Sequence, residues 1–172
     1  MATDDVRTLI SVVALAISAV ALMLTRVNWK QSNRPVVSAF LVDDKIGIGV
    51  ATFNLSVANT GTRPATNVVI FLEPAELEKL LDPAATGVEK MSLARCFARD
   101  SKIPLLRNGE VLTGAIGHSS RVAGTKAMLA YGAEATAKLT YEDLEGNRYE
   151  ARQPIKVYAR EGFTGVSWQS AA

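Results

Sequence analysis

Few side chains in this sequence are suited to catalysis or metal binding. The chain of 172 residues has one cysteine, Cys96, and one histidine, His118. A zinc site needs several such ligands, and a serine-histidine-acid triad needs a histidine next to a suitable acid. His118 is followed by two serines, and we interpret that stretch as a loop. Cys96 would be a reactive thiolate if Arg95 and Arg99 lowered its pKa. Because no partner base is evident, we predict a structural cysteine instead.

A second group consists of three acidic residues, Glu142, Asp143 and Glu145. They lack the ligand spacing of a calcium-binding loop, and a position at the tip of a hairpin accounts for them. The sequence also has no GxxxxGK[ST], GxSxG or HExxH motif. We therefore predict a non-catalytic protein with no cofactor and no metal, and an enzyme only if Cys96 proves reactive.

The longest apolar run extends from Leu9 to Leu24 and carries no charge, proline or glycine. With its flanking residues it reaches the length that spans a bilayer. A cleaved signal peptide is disfavoured because the run continues past the small-residue triplet at 19–21 and the first residues are acidic. We predict a short acidic tail at 1–8 and an uncleaved transmembrane helix at 9–25.

The orientation of that helix follows from the basic residues at its two ends. Arg7 precedes the apolar run, whereas Arg26, Lys30 and Arg34 follow it in a juxtamembrane flank at 26–35. Since basic residues stay on the cytoplasmic side, we expect a cell-membrane protein whose following domain faces the cytoplasm. The opposite topology, with an extracytoplasmic domain, remains the alternative.

One face of the predicted helix carries small side chains at spacings of three and four residues. Such a face lets two helix backbones approach closely, which would give a homo-oligomer. An alanine-rich segment can also produce this stripe by composition alone. The residues proposed for helix pairing are Ser11, Ala14, Ser18 and Ala21, with Thr25 continuing the face.

The remaining chain alternates apolar and polar residues in short runs separated by turn signals, as in a mainly β protein. Six to eight such strands predict an immunoglobulin-like two-sheet sandwich at 36–160. A short helix is expected after Pro74, ending before Pro83. Pro154 predicts that the last strand lies at a sheet edge. The predicted strands are Val36–Val42, Ala51–Ala58, Thr66–Leu72, Glu110–Ile116, Ala135–Tyr141 and Arg148–Tyr158, with weaker ones at Leu93–Phe97 and Met128–Tyr131.

Three segments carry a family resemblance. VANTGTRPATNVV at 57–69, IPLLRNGEVLTGAIG at 103–117 and TYEDLEGNRYE at 140–150 resemble bacterial CARDB-type immunoglobulin-like modules. Arg107-Asn108 replaces the usual proline before the Gly-Glu pair. The shared features are chiefly turn chemistry, so the resemblance implies the fold and little about function.

Two further segments are candidate contact surfaces. The connection between Gly87 and Gly109 is rich in basic residues, which would contact an anionic membrane surface or a partner, or form a solvated loop. The C-terminal tail at 161–172 carries two aromatic residues and is expected to pack on its own domain or to dock on a partner. The contact residues are Arg95, Arg99, Lys102, Phe163 and Trp168.

These features together indicate a membrane-tethered, non-catalytic interaction or scaffold module. We expect it to contact the lipid bilayer and another protein. A net charge of +2 is too small to indicate nucleic-acid binding. The alternative function is an extracytoplasmic ligand-binding or adhesion domain of the opposite topology.

Overall fold

The chain divides into two compact units, Met1–Arg34 and Pro35–Ala172. The computed structural model describes residues 2–46, 49–122 and 124–158. The first unit is one helix, α1, which runs from Ala2 to Ser32. It is long and apolar enough to span a membrane, and its most apolar 18-residue window has a mean hydropathy of 2.4. Its 31 residues extend about 46 Å at 1.5 Å per residue. Because the helix begins at Ala2 and ends at Ser32, it extends beyond the apolar run into both predicted flanks.

The second unit contains two antiparallel sheets. One has three strands in the order β1-β2-β5, and the other has four in the order β4-β3-β6-β7. This confirms the prediction of a mainly β, two-sheet sandwich. The strands are β1 (Val37–Ile46), β2 (Val50–Asn59), β3 (Ala65–Phe71), β4 (Lys102–Leu106), β5 (Val111–Ser120), β6 (Glu134–Glu142) and β7 (Arg148–Lys156).

The core lies between the two sheets and is built by alternation along the strands. In β6, Ala135, Ala137 and Leu139 are buried and alternate with exposed or half-buried neighbours, and Phe53 of β2 likewise lies between two half-buried residues. The predicted edge position of β7 is confirmed, because among the described strands it pairs with β6 alone.

Two helices connect β3 to β4. The first, α2 (Pro74–Leu80), confirms the predicted short helix and begins with proline in its first turn. The second, α3 (Gly87–Cys96), replaces the strand that was predicted at Leu93–Phe97, and that prediction was wrong. Thr86 and Glu89 form a capping box, in which each side chain accepts a hydrogen bond from the other residue's backbone N–H. Leu93 and Phe97 are both buried at a spacing of four residues, as on one face of a helix.

Other boundaries also differ from the predictions. β1 continues past its predicted end at Val42 to Ile46, because Asp43 pairs with Phe53 of β2 and the pairing resumes at Ile46 after a shift in register. β4 was not predicted, since Pro104 interrupts its apolar pattern. The strand expected at Met128–Tyr131 reduces to isolated bridges at Leu129.

Candidate functional site

The two long sides of the sandwich differ in how they are closed. On one side, Gln153 of β7 joins the sheets by bonding to the backbone of β1. Its Oε1 accepts from the Ala39 N–H at 2.9 Å, and its Nε2 donates to the Val37 carbonyl at 3.2 Å. This bond pair links β7 to the first residues of β1, at Val37 and Ala39.

The opposite side, between the edge strands β4 and β5, is open. A cavity of about 280 Å³ lies there between the two sheets. Its walls are mostly apolar, and apolar pockets favour apolar side chains or ligands. The side chains that line it include Leu55, Val57, Val68, Ile70, Ile103 and Leu112, with Cys96 at the end of α3.

The first seven of the ten residues of β5 have an uncovered backbone edge, and most of them line this cavity. Val111 is 54% exposed and Leu112 is 38% exposed. From Val111 to Gly117 the strand pairs with β2 alone among the described residues. Farther along, the N–H groups of Met128 and Leu129 bond to the His118 carbonyl and cover the edge. The open part of β5 is therefore its first seven residues.

Those seven residues, VLTGAIG, contain no charge and no proline. Sheet edges in proteins are commonly protected by charged side chains, by proline or by a covering segment. β4 has Lys102 and Pro104, and β7 has Pro154 with charges along its length. β1 carries Asp43 and Asp44, and Gln153 bonds to its backbone. Among the described strands, β5 alone has a stretch of edge without a charge, a proline or a covering segment, and a bulge at Ile116 interrupts its pairing with β2 near the end of that stretch.

Asn59, at the end of β2, fixes the start of the open edge. Its backbone accepts from the Gly109 N–H at 2.8 Å and donates to the Glu110 carbonyl at 3.0 Å. Gly109 has φ +73°, which suits glycine in this turn. The Asn59 side chain also donates to the Leu106 carbonyl at 3.2 Å. The turn that joins β4 to β5 is thus held to the end of β2.

The structure does not support a reactive Cys96. Desolvation raises the pKa of its thiol, opposite to the lowering that Arg95 and Arg99 would have caused. The Sγ atom donates to the Ser92 carbonyl at 3.4 Å. Arg95 contacts the Met91 sulfur at 3.9 Å instead. Cys96 is therefore an exposed thiol at the rim of the cavity, without the activating environment of a nucleophile.

His118 lies within β5 rather than in the predicted loop. Its Nε2 is 3.3 Å from the Lys126 carbonyl oxygen, so the ring has a local backbone partner. The described part of the chain contains no group of three or more metal-ligating side chains.

The three acidic residues lie where β6 turns into β7, as predicted, and each binds a protein group. Asp143 is buried and accepts four hydrogen bonds within its hairpin. Glu142 binds Asn67 and Arg148, and Glu145 binds Arg63. The cluster has a structural role in the turn.

The predicted contact residues do not form one site. Arg99 and Lys102 lie together at the outer face of the four-stranded sheet, whereas Arg95 lies on α3. Phe163 and Trp168 lie outside the described residues.

The small-residue face of α1 retains its helical spacing. The hydroxyls of Ser11, Ser18 and Thr25 donate to carbonyls one turn earlier in the same helix, at 2.8–2.9 Å. They are therefore satisfied within a single chain.

Sequence reasoning did not identify the open β5 edge as a site. The run at 111–117 has no charge and no proline, and this is visible in the sequence. It indicates a binding edge only when the strand is known to lie at the edge of a sheet.

Comparison with known proteins gives one family. The model of the family described as "Domain of unknown function (DUF8453)" matches residues 5–159. No curated protein matches the chain.

Proposed function

The chain belongs to the DUF8453 family, and we propose that it is a membrane-tethered, non-catalytic interaction module that captures an extended strand of another protein at β5. The observation that carries this proposal is the uncharged, unpaired edge at 111–117 beside an apolar cavity. We also propose that the sandwich is of the immunoglobulin-like, CARDB-type kind that its sequence resembles.

The physical basis is strand addition to a sheet edge. An added strand gains main-chain hydrogen bonds with β5, and its alternate side chains reach neighbouring pockets. Leu112 and Ile116 line the cavity from β5. A partner segment with a large apolar residue at every second position would fit both the edge and the cavity. Gly114 has no side chain, and the space next to its Cα is empty within 4 Å of the position of a Cβ atom. An incoming strand can therefore approach the backbone of β5 closely at this point.

The tether follows from the length and composition of α1. The whole apolar run lacks charge, and the basic residues that follow it support the proposal that the sandwich faces the cytoplasm. Anchoring in a bilayer raises the local concentration of a membrane-bound partner, so a single small edge can suffice.

Photo-crosslinking tests the strand-binding site. Benzoylphenylalanine in place of Val111, in the full chain in its native membrane, should yield an adduct with a partner peptide. The matched control places the same group at Val88, which is 75% exposed on α3. Adding Leu112→Lys to the Val111 probe should abolish the adduct, because an edge charge opposes pairing, whereas adding Val88→Lys should not.

Equal adducts from Val111 and Val88 would contradict the proposal, as would an adduct that persists with Leu112→Lys. Circular dichroism checks that each variant retains its β signal.

Reporter fusions test the proposed sidedness. A reporter that is active only in the cytoplasm should be active when it is fused after Ala172, and one that is active only outside should be silent. The reverse pattern would favour an extracytoplasmic ligand-binding or adhesion domain.

A further inference from the structure

The outer face of the four-stranded sheet contains a second, wider depression of about 760 Å³. A bulge in β3 between Thr66 and Val69 interrupts the regular pairing with β6. Asn67 within the bulge has φ 51°, in the left-handed region, and its amide donates to Glu142 at 2.9 Å. Bulges of this kind bend a strand and redirect side chains.

Basic side chains dominate this face. Lys138 pairs with Glu150 at 2.9 Å, and Arg148 pairs with Glu142 at 2.8 Å. Arg152 lies directly opposite Lys138 across β6 and β7, so the two share the outer face. Four basic residues line the depression, Arg99, Lys102, Lys138 and Arg148, and Arg152 lies beside it on the same face. With the two acidic residues Glu142 and Glu150, this face has an excess of three positive charges.

Three of the cations are available to a ligand. In the described part of the chain, no carboxylate lies within ion-pair distance of Arg99, Lys102 or Arg152, and Lys102 interacts with Glu142 only at longer range. The Arg99 guanidinium lies 4.4 Å from the centre of the Phe71 ring. Stacking of this kind orients a guanidinium while its N–H groups remain available to bind a carboxylate.

The floor between these cations is partly apolar. Val69 and Phe71 line it and are half-buried. An occupant must therefore combine negative charge with apolar side chains. We infer that this depression binds an acidic, extended peptide segment of a partner protein, with carboxylates at Arg99, Lys102 and Arg152 and an apolar side chain over Phe71.

An anionic lipid leaflet would also be attracted to these basic residues, but its shape fits the depression less well. A flat membrane surface does not follow a concave face, whereas a single extended chain does. The depression does not include β5, so it is separate from the strand-binding edge.

Fluorescence anisotropy tests the inference with the full chain in nanodiscs of neutral lipid. The probe is a labelled peptide of about ten residues that alternates glutamate with leucine, and its control has glutamine at every glutamate. The combined variant Arg99→Gln, Lys102→Gln and Arg152→Gln should weaken binding of the glutamate peptide about tenfold. Salt at about 0.5 M should also weaken it, because exposed charges are screened.

The matched control removes three basic residues elsewhere on the domain, with Lys90→Gln, Arg95→Gln and Arg107→Gln. This variant should retain affinity within about twofold. Equal losses in both variants, or equal binding of the glutamine peptide, would overturn the inference. Phosphatidylserine vesicles could instead displace the peptide and fail to bind the combined Arg99→Gln, Lys102→Gln and Arg152→Gln variant. That result would assign the face to lipid and would also overturn the inference.

The β5 edge has its own test, because Leu112→Lys should leave binding of the glutamate peptide unchanged. Failure of the acidic-peptide inference and failure of strand capture are therefore distinguishable.

Discussion

Asn59 is the polar residue on which the ends of several strands depend. It is 1% exposed. Its Oδ1 accepts from the N–H groups of Val36 and Gly61, and its Nδ2 donates to the carbonyls of Arg63 and Leu106. The side chain thus uses both of its amide donors and accepts twice. A buried polar network that is fully satisfied in this way specifies one local arrangement.

We predict that Asn59→Ala lowers the free energy of unfolding by about 2–4 kcal/mol, because it leaves buried backbone groups without partners. Thermal melting of the full chain in nanodiscs, followed by the β signal in circular dichroism, measures the loss. Asn54→Ala, on a half-buried position of the same strand, is the control and should change stability by less than about 0.5 kcal/mol. Equal melting of the two variants would show that the network contributes little.

Asp143 gives the β6–β7 hairpin a pH dependence. Burial alone would raise the pKa of its carboxyl, but hydrogen bonds from Asn147, Tyr149 and the Glu145 N–H outweigh that effect and lower the pKa. The carboxylate is thus favoured in the folded state. Its contribution is present above the unfolded pKa, near 3.9, and is lost as pH falls through the lower folded pKa.

We expect the wild-type chain to lose more stability than Asp143→Asn does when the pH is lowered from about 5 to about 3. Melting temperatures across this range measure the difference, and Asp100→Asn, at an exposed position, serves as the control. Parallel pH profiles of the wild type and Asp143→Asn would contradict the role assigned to these hydrogen bonds.

At the scale of elements, the strands were more predictable than their boundaries. Residues such as Phe53 and Leu139 alternate with polar neighbours, and that period identifies a strand without tertiary information. α3 was missed because its apolar pattern is weak, with Leu93 as its one buried side chain. Thr86 and Glu89 have the spacing of a capping box, and this signal was present in the sequence.

The two candidate surfaces were less predictable than the strands. Arg99 and Lys102 are neighbours in sequence, but Lys138 and Arg152 join them only through the pairing of β3, β4, β6 and β7. The edge position of β5 likewise depends on which strands pair. The basic residues and the uncharged run at 111–117 can be read from the sequence. Which of these residues lie on the same surface depends on the order of the strands in the sheets.

The small-residue face of α1 leads to a prediction at the same scale. Because Ser18 bonds within its own helix, association would rest on close packing rather than on hydrogen bonds between helices. Ala14→Leu or Ser18→Leu should reduce self-association in a membrane two-hybrid assay, whereas Val13→Leu, on another face, should not. If all three behave like the wild type, the stripe reflects composition alone.

At the scale of the whole molecule, an apolar helix and a self-contained sandwich form separate units. α1 leaves its side chains exposed, as suits a segment surrounded by lipid, and the sandwich buries its own core. The sandwich has one uncharged edge, in β5, and one basic face, and these are the two surfaces at which we propose that partners bind. This combination is consistent with a tethered domain that acts by binding.

The central claim is that β5 receives a strand in the native membrane, and amide hydrogen exchange measures this most directly. An added strand would bond to β5 backbone groups and slow their exchange. We predict slower exchange at 111–117 in native membranes than for the purified chain in neutral nanodiscs, with no change in β4 or β7. Exchange at 111–117 that is identical in the two settings would contradict strand capture at this edge.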